Sequence, residues 1–104
     1  MSLAAIHFHR LATKEFRQAV HWYEEKSETA AQNFLAAVDR AMQRIVNHPE
    51  QLPIIDKRYH YVRVNRFPYK IVFEKNFPSD NQYMIFAVAH TSRRTGYWRK
   101  RAGT

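Results

Sequence analysis

The sequence predicts an α+β fold in the order β-α-α-β-β-β, with a helical hairpin packed on one face of a small twisted, mainly antiparallel sheet. Three observations lead there. Two segments with apolar residues at helical spacing follow one another with only Ser27-Glu28 between them, which implies an antiparallel reversal. From Tyr59 onward the apolar period falls to two, interrupted by clusters of turn-forming residues, as in a meander of three strands. Neither layer can bury its apolar side alone, so each is expected to close on the other.

Ile6-His7-Phe8-His9 alternates and is expected to form a short first strand with His7 and His9 on the same side. The first helix is expected from Thr13, as its N-cap, to Lys26, burying Phe16, Ala19, Val20 and Tyr23 at i, i+3, i+4 and i+7. Thr29-Ala30-Ala31-Gln32 fits a capping box and is expected to open the second helix. Its apolar face reads Phe34, Leu35, Val38, Met42, Ile45 and Val46, and Pro49 ends it. Tyr59 to Asn65 sets Val62 and Val64 on one face, Tyr61 and Arg63 on the other. Arg66-Phe67-Pro68 reads as a tight connection into a strand over Tyr69 to Glu74, and Asn76 to Asn81 has turn chemistry. Tyr83 to Ala89 is apolar on both faces, as an interior strand would be. The sheet face away from the helices is expected to stay concave and open, with Arg63 and Lys70 lining it.

At 104 residues the chain is expected to be one domain over 1–104 with a basic C-terminal tail at 91–104. It has no cysteine, so neither disulfides, thiolate zinc nor a thiol nucleophile enters, and a reducing cytoplasm suits it. The two glycines both lie in the tail; without a Gly-rich phosphate loop, nucleotide-hydrolysing and dinucleotide-binding classes drop out. No apolar run approaches the roughly 20 residues of a membrane span, and no signal peptide is expected. Met1-Ser2-Leu3 reads equally as a native start or a cloning scar.

Charge is unevenly spread. Residues 1–54 hold six Lys/Arg and six Asp/Glu, whereas residues 55–104 hold eleven against three, which places the whole formal +8 in the second half. From Tyr83 onward no acid occurs, and five cations (Arg93, Arg94, Arg99, Lys100 and Arg101) surround Tyr97-Trp98. Such asymmetry points to a polyanionic partner, whether nucleic acid, an acidic polypeptide or an anionic membrane. At least one ring of Tyr97-Trp98 is expected to pack on the sheet.

Candidate chemistry is sparse. His7 and His9 would need a third metal ligand, and no Cys, nearby acid or HExxH pattern supplies one, so no metal or cofactor is expected. His21, His48 and His60 read as surface or capping residues. His90, where the last strand meets the tail, reads equally as a proton shuttle or a hydrogen-bonded strand end. The basic half offers only Asp56, Glu74 and Asp80 as acids, too few for metal-assisted phosphodiester cleavage. Metal-independent RNA cleavage needs a base, an acid and cations, types present in His90, Tyr97 and the arginines.

The chain resembles the RelE/ParE superfamily of bacterial toxins, the plasmid stabilisation proteins of type II toxin-antitoxin systems. The likeness rests on Ala19-Val20-His21-Trp22-Tyr23-Glu24-Glu25, Phe34-Leu35-Ala36-Ala37-Val38 and Asn47-His48-Pro49-Glu50-Gln51-Leu52-Pro53. It continues through Arg66-Phe67-Pro68-Tyr69-Lys70-Ile71-Val72-Phe73, Ala87-Val88-Ala89-His90-Thr91 and Arg94-Thr95-Gly96-Tyr97-Trp98. It implies growth inhibition, a small acidic antitoxin that wraps the toxin, and operator DNA bound through that antitoxin, with no membrane partner. RelE-like members cut mRNA on the translating ribosome without metal; ParE-like members poison DNA gyrase. A RelE-like site would place Arg63, Lys70, His90, Arg94 and Tyr97 in catalysis, with Tyr61 where a lysine is usual. A ParE-like reading gives binding to Tyr61, Arg93, Trp98, Arg99, Lys100 and Arg101. The expectation leans to the ParE-like, gyrase-binding toxin, with the endoribonuclease and a non-toxic nucleic-acid-binding module as alternatives.

Overall fold

The computed structural model describes residues 5–103, so Met1-Ser2-Leu3 lies outside it. The elements are β1 (Ala5–Phe8), α1 (Arg10–Lys26), α2 (Glu28–Asn47), β2 (Ile54–Ile55), β3 (Tyr59–Val64), β4 (Tyr69–Lys75) and β5 (Gln82–His90). Short 3-10 turns cover Pro49–Gln51 and Arg99–Gly103. The fold is α+β as expected, with a sheet ordered β1-β5-β4-β3-β2. β1 runs parallel to β5, and every other pair is antiparallel. β2 was not foreseen, because two residues are too few to show a period.

The helix starts differ from expectation for one reason: the capping side chains lie upstream of those read from the sequence. His9, not Thr13, caps α1, its Nδ1 accepting the Leu11 N–H at 3.1 Å. The chain therefore leaves the sheet at Phe8, and the two histidines part. His7 is exposed and contacts Gln82 Oε1 at 3.1 Å, while His9 is buried. Ser27, not Thr29, opens α2: its Oγ accepts the Ala30 N–H at 2.9 Å, and its own N–H closes α1 on the Tyr23 carbonyl. One residue thus satisfies orphan groups of two helices and sets the hairpin. Leu35 is 42% exposed; the buried stripe of α2 runs instead through Ala31, Phe34, Ala37, Val38, Ala41 and Ile45.

Beneath the hairpin an aromatic cluster anchors helix to sheet. Tyr23, Phe34 and Phe67 have ring centroids 4.9–5.2 Å apart, and Tyr69 lies 5.5 Å from Phe34. Phe67 and Tyr69 flank Pro68 at the β3–β4 connection, so that turn is part of the core. His60 is also core: it is buried, stacks on Phe73 at 5.4 Å and faces the Leu52 carbonyl, contrary to its reading as a surface residue.

The far face of the sheet is open only in part, at a cleft lined by Arg63 and Lys70. The tail folds across the rest of that face and builds a second cluster of Tyr59, Val72, Phe86, Ala87, Ala89 and Trp98. Trp98 is 1% exposed, because a sheet face this apolar demands a cover and the indole supplies the area.

A β-bulge decides which face the end of β5 presents. Val72 pairs with Ala87 but Phe73 pairs with Ile85, so Phe86 is the extra residue. Ile85 and Val88 consequently both lie in the helix-side core, and Phe86 and Ala87 both lie on the tail side. One extra residue flips every later side chain to the other face.

Candidate functional site

β5 extends past its neighbour. β1 ends opposite Ile85, which leaves the next backbone groups of β5 without a strand partner. Side chains take that place. Glu15 on α1 accepts the Val88 N–H at 3.0 Å, and Arg101 donates to the Phe86 carbonyl at 2.9 Å. Arg101 also grips both Glu15 oxygens at 2.9 Å, and the Tyr97 hydroxyl donates to Glu15 at 2.8 Å. The Glu15 and Arg101 side chains are only 13% and 11% exposed. Arg93 lies 3.7 Å from the same carboxylate, and the Arg93 and Arg101 guanidinium groups lie 3.8 and 5.0 Å from the Tyr97 ring centre. Burial, reinforced by the hydrogen bond to Glu15, pushes the Tyr97 phenol well above its ordinary value. That hydroxyl is a held donor and a poor proton acceptor near neutral pH.

Glu15 was missed from sequence. The signal was present, since Ala12, Glu15 and Ala19 sit at i, i+3 and i+7 on the buried stripe of α1. An acid there requires a partner.

Two clefts flank the end of β5. The larger, of about 430 Å³, lies between α1 and the sheet, with Trp22, Tyr69, Val88 and Pro68 as apolar walls and His90, Arg93 and Tyr97 beside them. Trp22 is 52% exposed at its mouth, edge-on to Tyr23, with the Lys26 ammonium 4.5 Å over its ring. His90 Nδ1 accepts the Ser92 N–H at 3.0 Å and contacts Ser92 Oγ at 2.7 Å, and its ring meets Tyr69 edge-on. It is a hydrogen-bonded strand end.

The second cleft, of about 390 Å³, opens on the tail side and is lined by Tyr61, Arg63, Lys70, Thr91 and Thr95 among others. Arg63 and Lys70 are direct register partners across β3 and β4. The Lys70 ammonium sits 5.4 Å over the Tyr61 ring and 5.7 Å from that of Trp98.

The residues expected to act together thus divide. Tyr61, Arg63 and Lys70 meet in the tail-side cleft, whereas His90, Arg93 and Tyr97 meet in the helix-side cleft. The bulge at Phe86 is the reason, since it turns His90 away from the face that carries Lys70. Arg94 and Lys100 are exposed on the tail. Arg99 pairs with Asp56 at 2.9 Å, and its guanidinium packs against Gly96, whose φ of +90° only glycine adopts without strain. Trp98 lies inside the second core and offers no ring to a partner. Among the described residues no three of His, Cys, Asp and Glu converge as metal ligands. No helix among them is long and apolar enough to cross a membrane.

Two helices packed against a five-stranded mixed sheet form an α+β fold consistent with RelE/ParE-like toxins of type II toxin-antitoxin systems. The family model described as "ParE toxin of type II toxin-antitoxin system, parDE" matches residues 6–95, and the chain belongs to that family. No curated protein matches it. Membership brings a cognate antitoxin as partner.

Proposed function

We propose that this toxin acts by binding a protein target, DNA gyrase, and does not cut RNA. The observation that supports this reading is the division of the five RelE-like candidates. Arg63 and Lys70 line the tail-side cleft whereas His90 and Tyr97 line the helix-side one, and the bulge turns His90 away from Lys70. Tyr97 is committed to Glu15, and His90 Nδ1 to Ser92. The helix-side cleft has instead the character of a protein contact: apolar walls, a polar rim and an exposed tryptophan, the residue type most enriched at binding hot spots. The cognate antitoxin, small and acidic on this reading, neutralises the toxin by covering that cleft, and carries it to operator DNA.

The deciding experiment maps new mRNA 5′ ends minutes after brief induction in bacteria, alongside a supercoiling assay with purified gyrase. The expected result is growth arrest with supercoiling inhibited and no new ends inside translated codons. Cuts in frame within codons would establish the endoribonuclease and overturn this reading. In the same cells Lys70→Arg and His90→Gln are expected to keep killing, whereas Arg94→Ala and Trp22→Ala lose it.

A further inference from the structure

The fold assembles a band of cations that the linear charge map hides. Arg10, Lys14, Arg17 and His21 are spaced i, i+4, i+7 and i+11 on α1, and all four are exposed. At 100° per residue they fall within an arc of about 60°. At 1.5 Å per residue the three permanent cations, Arg10 to Arg17, span about 10 Å, roughly three phosphates along one strand of a duplex. Arg10 also lines a depression shared with Arg93, Lys100 and Arg101, so the stripe continues onto the tail. Among the described residues Arg10, Lys14, Arg17 and Lys100 form no ion pair. The band stops at His21, which pairs with Glu25.

Helix stability does not explain this arrangement. The first turn of α1 has no acid and bears Arg10, with Lys14 directly after it, at the end where the helix dipole disfavours positive charge. Glu24 and Glu25 lie toward the opposite end, where negative charge is disfavoured. Lys26 in the last turn accords with the dipole, so it is the N-terminal cations, Arg10 and Lys14, that helix electrostatics does not favour.

We propose that this band docks the phosphodiester backbone of a nucleic acid. An acidic protein is the weaker fit, because protein interfaces are centred on apolar anchors and depleted of charge at the core. The band is built from cations, Thr13 and Gln18, and the aromatic anchors lie in the neighbouring cleft. This inference goes beyond the gyrase reading and holds whichever target the toxin has.

The test is fluorescence anisotropy with the full chain, using a labelled single-stranded RNA and a labelled DNA duplex of about 20 nucleotides across a salt series. The triple variant Arg10→Gln, Lys14→Gln, Arg17→Gln is expected to lose more than tenfold in affinity near 0.1 M salt. The slope of log affinity against log salt should shrink by about 2 on RNA and by about 2.7 on the duplex. Circular dichroism checks that the variant stays folded; glutamine is a good helix former. A control, Arg40→Gln, Arg44→Gln, Lys75→Gln, removes the same charge from exposed positions outside the band. An equal loss in the control would show that only net charge matters and overturn the proposal. Unchanged binding by the band variant would overturn it too, as would polyglutamate displacing the probe as well as unlabelled oligonucleotide of equal charge.

Discussion

At the level of single residues, Glu15 links three distant parts of the chain through four hydrogen bonds, to Val88, Tyr97 and both nitrogens of the Arg101 fork. Removing one partner of a buried ion pair strands the other, so Glu15→Gln is expected to lower stability by about 3 kcal/mol. For a domain of this size the melting temperature should fall on the order of 10–20 °C. A double-mutant cycle with Arg101→Gln, followed by urea unfolding, should give a coupling above about 1 kcal/mol; strict additivity would refute the pairing. Tyr97 adds a pH signature. Its phenol is held above the ordinary value, as are those of Tyr23 and Tyr69 by burial. The native state therefore keeps protons that the unfolded chain releases above about pH 10, and stability falls as pH rises from there. Tyr97→Phe should make that alkaline decline shallower; an unchanged slope would show that Tyr97 does not contribute.

At the level of elements, the start of α1 depends on a residue that titrates. Burial chiefly, with repulsion from Arg101 and Arg10, lowers the His9 pKa, while Glu15 partly opposes the shift. A depressed folded value means that His9 contributes stability above its unfolded value near 6.5, lost as pH falls through the folded value. The physical event is protonation of Nδ1, which can then no longer accept the Leu11 N–H. His9→Asn keeps a capping oxygen and should flatten this acid dependence, whereas His9→Ala should cost about 1 kcal/mol at neutral pH. Guanidinium unfolding from pH 5 to 8 would separate the two, and a His9→Asn variant that kept the wild-type slope would exclude His9 as its source.

At the level of the whole molecule, the sheet carries a core on each face, and the tail is the cover of one of them. Trp98 has the greatest volume of the fully buried side chains, so Trp98→Ala is expected to cost about 3–5 kcal/mol. Near-ultraviolet circular dichroism and dye binding should report a loosened tail-side face. A change under about 1 kcal/mol would mean that the tail merely rests there. The buried indole N–H has no acceptor among the described residues, so shape and area, not a hydrogen bond, hold the ring. The same wrapping brings Arg93 and Arg101 beside the first turns of α1, converting two separate charge patterns into one surface.

Much of this was readable before folding. Helical spacing at Phe16, Ala19, Val20 and Tyr23, alternation around Val62 and Val64, and turn residues near Pro68 and Asn76 specify the α+β order, because each depends on neighbours in sequence. The toxin family was legible for the same reason, in local segments at characteristic spacing. The true caps, His9 and Ser27, escaped because several polar residues compete near each helix start and only the path of the chain selects one. The bulge at Phe86 left no trace in a strand apolar on both faces, yet it separates His90 from Lys70 and so divides the candidate site. The contacts of Glu15 and the burial of Trp98 were likewise decided by tertiary structure. Periodicity is written along the chain, but charge pairing, burial of a tail and the face a strand end presents arise only when residues some 80 apart, such as Glu15 and Arg101, meet in space.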